Sequence, residues 1–217
     1  MAGSVKGESP RRYHSPRRAA QARATRIAVL DAARTLFVGK GYAATTVSDI
    51  AGSAQVSVDT VYASVGRKPA LLRELVETSI SGGDQGVPPE QRDYVRQISE
   101  TSGARDKLAI YAQAITSIQQ RMAPVFLALR DAAATDRECA ALWMEISERR
   151  AANMLRFAGE LRATGEVRAD LSDRQVADIV WSMNAAEYWV LLVHERSWTS
   201  EQFQAWVTDA WARLLLI

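Results

Sequence analysis

An all-α chain, in which an N-terminal three-helix helix-turn-helix domain precedes an all-helical C-terminal body, is what three features of this 217-residue sequence predict. Apolar residues recur at three- and four-residue spacing, and the body carries no strand signal. Ser and Thr stand where several of these stripes begin, with Gly or Pro where they stop. Charge is divided unevenly: residues 1–78 hold 12 Lys and Arg against 6 Asp and Glu, and residues 79–217 hold 15 against 19. A basic end suits contact with phosphates, and an acidic remainder stays off them.

Residues 1–22 combine Gly, Ser, Pro and Arg with almost no large aliphatic side chain, which reads as a disordered basic tail. Its Arg11, Arg12, Arg17 and Arg18, with Arg23 just beyond, suit either a solvated arm or one that adds phosphate attraction and enters a minor groove. From Arg26 to Val38 the stripe Ile27, Leu30, Ala33, Leu36, Phe37 marks the first long helix, ended by Gly39-Lys40-Gly41. That Gly-Lys-Gly is no phosphate loop, because no strand precedes it and the P-loop spacing is missing. Between Thr45 and Leu72 lie two short amphipathic pieces, one with Val47, Ile50 and Ala51, the other with Val58, Val61, Tyr62 and Val65. Thr46 and Ser57 are placed to cap them, and Ala54-Gln55-Val56 leaves room only for a sharp bend. This is the plan of a helix-turn-helix. A further helix runs from Pro69 to Ile80 before the Gly- and Pro-rich stretch from Ser81 to Pro89, so the head spans residues 23–83 and the body 90–217.

In the body, Arg105 to Met122 carries Leu108, Ile110, Tyr111, Ile115 and Ile118, and Pro124 starts or kinks the apolar stretch beyond it. Thr135-Asp136-Arg137-Glu138 reads as a capping box for a helix reaching towards Leu161 and ending near Gly165. Ser172 with Gln175 and Thr199 with Gln202 open the last two helices, the first running on through Val190 and Leu191. All six tryptophans lie in this half, four of them on those two helices. So much apolar area exceeds what one face buries internally, and it predicts a homodimer through the last two helices.

The succession from Val29-Leu30-Asp31-Ala32-Ala33 through Leu36-Phe37, Gly41-Tyr42, Thr45-Thr46-Val47, Ile50-Ala51, Val56-Ser57, Thr60-Val61-Tyr62, Lys68 and Leu71-Leu72 resembles the N-terminal domain of the tetracycline-repressor (TetR) family of bacterial regulators. The match covers about residues 23–80. Asp59 departs from the family pattern, where a small residue is usual, and Val65 replaces a frequent Phe. The resemblance implies a dimeric all-helical regulator of double-stranded DNA, released from an inverted-repeat operator by an unidentified small-molecule effector. It also implies that Thr46, Tyr62 and Lys68 hold phosphates. Val58, Asp59, Thr60 and Ala63 are then the base-reading candidates, and the cap Ser57 belongs to the same DNA-binding set. Without the motif, Tyr62 would be read as packing on Phe37 and Lys68 as solvated. The Asp59 carboxylate, repelled by phosphate, is expected first at the helix N-terminus and second on a base.

An effector needs a mostly apolar cavity in the body. Met122, Phe126, Arg130, Trp143, Trp181, Asn184, Glu187 and Tyr188 place aromatic and polar groups where such a cavity is expected. Catalysis has little to stand on. His14 and His194 form no metal-ligand pair, the single Cys139 has no His beside it and reads as a small apolar side chain, and no cofactor is implied. Glu145 and Glu148 beside Arg149 and Arg150 read as a solvated, salt-bridged face. No run of eighteen apolar residues and no export signal is visible, so the expectation is a cytoplasmic protein without a membrane partner. An activator or effector-independent regulator on the same scaffold stays open, as does an all-helical small-molecule-binding protein or enzyme.

Overall fold

A computed structural model describes residues 16–83 and 85–217, and among these every regular element is helical. Helix α1 (Pro16–Lys40) is followed by α2 (Val47–Ser53), α3 (Val58–Ser64) and α4 (Lys68–Ser81). The body contains α5 (Asp93–Glu100), α6 (Ala104–Ala133), α7 (Arg137–Arg162), α8 (Asp173–Met183), α9 (Ala186–Trp189) and α10 (Ser200–Leu215), with a π turn over Val190–Glu195 after α9. One apolar core joins the parts: Phe37, Ile50, Val61 and Leu71 fill the head, and Leu75 and Val76 of α4 continue it into Leu108, Phe126 and Ile146 of the body.

Most of the local chemistry expected from the sequence is in place. Thr46 caps α2 in a full capping box with Asp49, Ser57 caps α3, and Ser172 and Thr199 form capping boxes with Gln175 and Gln202. The bend between α2 and α3 turns on Gln55, whose φ of 56° lies in the left-handed region that a tight reversal needs.

Four expectations are corrected. The tail assigned to residues 1–22 is helical from Pro16 onwards, because Pro at the first turn and the Ala- and Arg-rich stretch after it favour helix without an apolar anchor. Residues 1–15, with Arg11, Arg12 and His14, lie outside the described residues. The cap of α7 is Asp136 rather than Thr135, its carboxylate accepting from the amides of Glu138 and Cys139. Helix α6 is continuous through Pro124, so of the two readings the proline does not start a new helix, and the Arg121 carbonyl, on the turn that the proline disturbs, accepts from Arg34 Nη1 at 2.8 Å.

The fourth correction bears on the site. The helix expected from Ser172 to Leu191 breaks at Asn184 and Ala185, and its two parts meet at 41°. Two side chains from other helices take up carbonyls at the break. Gln119 Nε2 donates to the Asn184 oxygen at 2.6 Å, and Arg150 Nη2 donates to the Trp181 oxygen at 3.3 Å. Buried backbone groups must be paired, so these two bonds compensate the interruption.

Candidate DNA-reading helix and effector cavity

Helix α3 stands on the surface of the head with its apolar underside fixed by Val61, which is fully buried. Ser57 Oγ accepts from the Thr60 amide at 3.1 Å and lies 2.8 Å from the Thr60 hydroxyl, which holds the first turn. Val58, Asp59, Tyr62 and Ala63 are exposed on the outer face, Tyr62 at 48%. Short side chains on such a face let a helix backbone approach a groove floor. Phe37 is packed by Tyr42, with ring centroids 5.3 Å apart, so Tyr62 is left free to project. Asp59 sits in the first turn, but Ser57 provides the cap, and no hydrogen bond or ion pair reaches the Asp59 carboxylate among the described residues.

Thr46 is exposed at the start of α2. Its backbone N–H donates to Asp49 Oδ2 at 2.9 Å, and Lys40 Nζ donates to the same oxygen at 3.0 Å. The backbone bond from Thr46 first, and the lysine second, hold the Asp49 carboxyl down at about 2. Because the Thr46 hydroxyl accepts from the Asp49 amide at 3.0 Å, its own proton is left for an outside acceptor. Lys68 is less available than the sequence suggests. Its ammonium donates to the Tyr42 carbonyl at 2.7 Å and lies 4.1 Å from the centroid of the Tyr42 ring.

Tyr42 ties the head to the body. Its hydroxyl donates to Asp136 Oδ2 at 2.8 Å, at the N-terminus of α7. Burial, followed by its Cys139 and Asp136 neighbours, pushes the Tyr42 phenol well above its ordinary range. Burial alone would raise Asp136, but the Cys139 amide, the Tyr42 hydroxyl and the Glu138 amide together bring its carboxyl below the usual value. Farther along, Arg73 of α4 grips Glu145 of α7 with two bonds of 2.8 and 2.7 Å, and Arg149 Nη2 reaches Glu77 at 2.6 Å. The expected solvated face of α7 is therefore partly a seam: Glu145 and Arg149 pair across to α4 rather than with each other.

Inside the body a cavity of about 270 Å³ opens between the end of α4, α5, α6, α7 and α8. Its walls are mainly apolar, with Ile98, Ile115, Ile118, Met122, Ile146, Met154 and Phe157, and its polar groups include Tyr111, Arg150 and Asn184. Of the eight residues predicted from the sequence to line such a space, Met122 and Asn184 do. The other six stand elsewhere for identifiable reasons. Phe126 and Trp143 pack on each other with centroids 4.5 Å apart, Arg130 and Glu187 form an ion pair of 2.7 Å at the surface, Tyr188 lies 5.6 Å from Trp206, and Trp181 supports Arg150 from behind. Sequence reasoning missed Arg150 and Tyr111. The signal for Arg150 was its spacing, since Ile146, Met154 and Phe157 form the buried stripe of α7 and Arg150 falls on it.

The expected surplus of tryptophan is mostly used inside the protomer. Trp189 and Trp211 are buried, Trp211 stacking on Tyr111 at 5.6 Å, while Tyr188, Leu191 and Leu214 are the large apolar side chains that α9, the π turn and α10 leave exposed. No group of His, Cys, Asp or Glu among the described residues could hold a metal ion. No single helix among them is long and apolar enough to cross a membrane, although α8 and the α9 segment pass that criterion when joined across their bend.

Residues 29–75 match the family model described as bacterial regulatory proteins, tetR family. No curated protein matches the chain in sequence. Among solved structures, NalD of Pseudomonas aeruginosa, the secondary repressor of the MexAB-OprM multidrug efflux pump, superposes with a TM-score of 0.67 at 18% identity, over 91% of this chain and 98% of its own. The fatty acid degradation regulator FadR of Bacillus halodurans gives 0.66 at 18% identity, over 86% and 92%. A transcriptional regulator of Saccharomonospora viridis, solved in complex with choline, gives 0.65 at 15% identity, over 88% and 97%. At these identities the likeness is one of fold, and it extends across both head and body.

Proposed function

We propose that this chain, a TetR-family transcriptional regulator by its DNA-binding domain and its whole-chain fold, is a homodimeric repressor that releases an inverted-repeat operator when a small molecule fills the body cavity. The observation that carries this reading is α3: a capped, exposed helix with short outer side chains, borne in the part of the chain, residues 1–78, where Lys and Arg outnumber Asp and Glu 12 to 6. Thr46 and Tyr62 would fix the register on phosphates, while Val58, Asp59 and Ala63 would meet base edges. Lys68 would act mainly by holding the start of α4 against Tyr42.

Two copies would pair through α8, α9 and α10, covering Tyr188, Leu191 and Leu214. The response would be a population shift. Arg149 borders the cavity and is bonded to Glu77 of α4, so an occupied cavity that displaces α7 also displaces the helix on which the head is mounted. Choline in the Saccharomonospora viridis structure is a precedent for a small ligand in a protein of this fold.

The test is fluorescence anisotropy with a duplex carrying the inverted repeat upstream of the gene, alongside a scrambled duplex and a salt titration. Preference for the repeat, a steep loss of affinity with salt and a stoichiometry of two chains per repeat are expected. Equal binding to both duplexes would remove the operator reading.

A further inference from the structure

Arg150 is a half-buried cation without an anion. On α7 it shares the inward stripe with Ile146, Met154 and Phe157, and it lines the cavity. Its guanidinium lies 5.1 Å from the Trp181 ring centroid and 5.7 Å from that of Phe126, which fix its plane. Only Nη2 is engaged, donating to Asn184 Oδ1 and to the Trp181 carbonyl. Nε and Nη1 have no partner among the described residues, and no carboxylate lies within ion-pair distance. Glu187, an acid whose field reaches Arg150, is bonded instead to Arg130 Nη1 at 2.7 Å. Burial accordingly pushes the guanidinium below its ordinary pKa, although it remains charged.

The groups beside it are also donors. Asn184 Nδ2 donates to the Tyr111 hydroxyl at 2.7 Å, which leaves the phenolic proton with no acceptor among the described residues. The Asn184 side-chain oxygen is already taken by Arg150. Of the other charges around the cavity, Arg149 pairs with Glu77, Glu160 with Lys107 at 3.1 Å, Glu90 and Arg156 are exposed, and the half-buried Arg92 donates from Nε to the Val87 carbonyl at 3.1 Å. Around Arg150 the wall therefore offers N–H and O–H groups and a positive charge with no carboxylate within ion-pair distance, and the inner wall beyond it is mainly apolar.

From this juxtaposition we infer that the cavity binds a small apolar molecule carrying a single carboxylate, received by the free N–H groups of Arg150 with the Tyr111 hydroxyl beside them. An unpaired, largely desolvated charge is costly, and a carboxylate oxygen can accept from Nη1 while its charge answers the guanidinium. A phosphate dianion would bring more charge than Arg150 alone balances, and Arg92, the other half-buried lining cation without an ion pair among the described residues, already has its Nε on the Val87 carbonyl. A quaternary ammonium would be repelled. A volume of about 270 Å³ lies near the lower end of small-molecule sites, which run from roughly 300 to 1,000 Å³, so the body of the ligand is short. The inference rests on reading this cavity as the effector site, and it specifies the chemistry of what enters.

The experiment is isothermal titration of the full-length protein with straight-chain carboxylates from butanoate to dodecanoate and with 4-phenylbutyrate, each compared with the alcohol and the amine of the same skeleton. At least one carboxylate is expected to bind, with its alcohol ten or more times weaker and its amine silent. Arg150→Gln should remove most of the preference for carboxylate over alcohol while leaving alcohol binding unchanged, and Tyr111→Phe should weaken the carboxylate a few-fold. Tyr111→Phe keeps the ring, so it decides the matter if Arg150→Gln fails to fold. A panel in which no carboxylate binds, an alcohol that equals its acid, or an Arg150→Gln protein that folds and keeps the preference would overturn the proposal. Operator release is scored separately. Carboxylates that bind through Arg150 without releasing DNA would refute the effector reading alone, and alcohols that release DNA where carboxylates do not bind would refute this inference alone.

Discussion

The contact between Tyr42 and Asp136 gives the sharpest test of how the head is joined to the body. Tyr42 is 7% exposed, its ring packs on Phe37, and its hydroxyl donates to a carboxylate that also caps α7. Tyr42→Phe keeps the ring and the cation above it but deletes one charge-assisted bond. Because Asp136 keeps some contact with solvent, the loss should fall near the lower end of the range for bonds to charged groups, about 1.5 kcal/mol. For a chain of this size that lowers the melting midpoint by roughly 3–6 °C. Asp136→Ala should cost more, because it also removes a cap worth about 1 kcal/mol and leaves a buried hydroxyl unmet. In the double variant the phenylalanine has nothing left to lose, so the cycle should show a coupling of about 1–1.5 kcal/mol. Urea melts at one fixed protein concentration measure it. A coupling below about 0.5 kcal/mol would mean that the bond contributes nothing, and the junction would then rest on packing and on the bonds of Arg34, Arg73 and Arg149.

The same pair sets a pH dependence. The Asp136 carboxyl is held below its unfolded value, so its contribution is complete above about pH 4 and is lost as pH falls through the folded value. Asp136→Asn keeps a capping side chain but no charge, so it should melt below wild type at neutral pH, with the gap closing in that acid window as Asp136 takes up its proton. Wild-type and Asn proteins with parallel acid profiles would contradict this assignment.

Three further outcomes are expected. Tyr62→Ala should weaken binding to cognate and random duplexes by similar factors while moving the melting midpoint by no more than about 2 °C, since an exposed side chain costs little to remove; anisotropy and calorimetry separate the two. Asp59→Asn should raise affinity for random duplex by about threefold to tenfold, on the order of 1 kcal/mol, through loss of repulsion from phosphate, and an unchanged affinity would place Asp59 away from the backbone. Cys139 is fully buried and its thiol is pushed up, by burial first, so a thiol-specific chromogenic disulfide should label it slowly in the native protein and at once in guanidinium.

Where a structural choice is made within three or four residues, the sequence alone conveys it. Ser172 with Gln175 and Thr199 with Gln202 are each a donor and acceptor pair closed inside one turn and are found as read, and Thr46, read as a cap, is found capping with Asp49 closing its box. The choices it does not convey are made at a distance. Thr135 and Asp136 are equally able to cap α7 on local grounds, and the second wins in a place where its other oxygen also takes the Tyr42 hydroxyl, 94 residues away. Nothing around Asn184 signals a break, because the group that receives its carbonyl is Gln119 on α6. Tryptophan count predicted a sticky surface, yet Trp189 and Trp211 close the protomer's own core, leaving Tyr188, Leu191 and Leu214 outside. Arg150 was hidden by its neighbours: beside Glu148 and Arg149 it looks like part of a wet face, and only its place in the Ile146, Met154, Phe157 register turns it inward.

That register also explains how one helix could serve both halves of the proposed response. Asp136 caps α7 and holds Tyr42, and Arg150 lines the cavity about 21 Å farther along at 1.5 Å per residue. Between them Glu145 is bound by Arg73, and next to Arg150 on the chain Arg149 is bound to Glu77, so α4 is gripped from the same rod at two more points. A rigid helix with one end at the head and its middle in the cavity passes on any displacement it undergoes. On the proposed reading, an anion drawn to Arg150 pulls on α7, and Tyr42 feels it through Asp136. Lys68, bonded to the Tyr42 carbonyl at the junction of α3 and α4, then carries the movement to the helix that faces DNA.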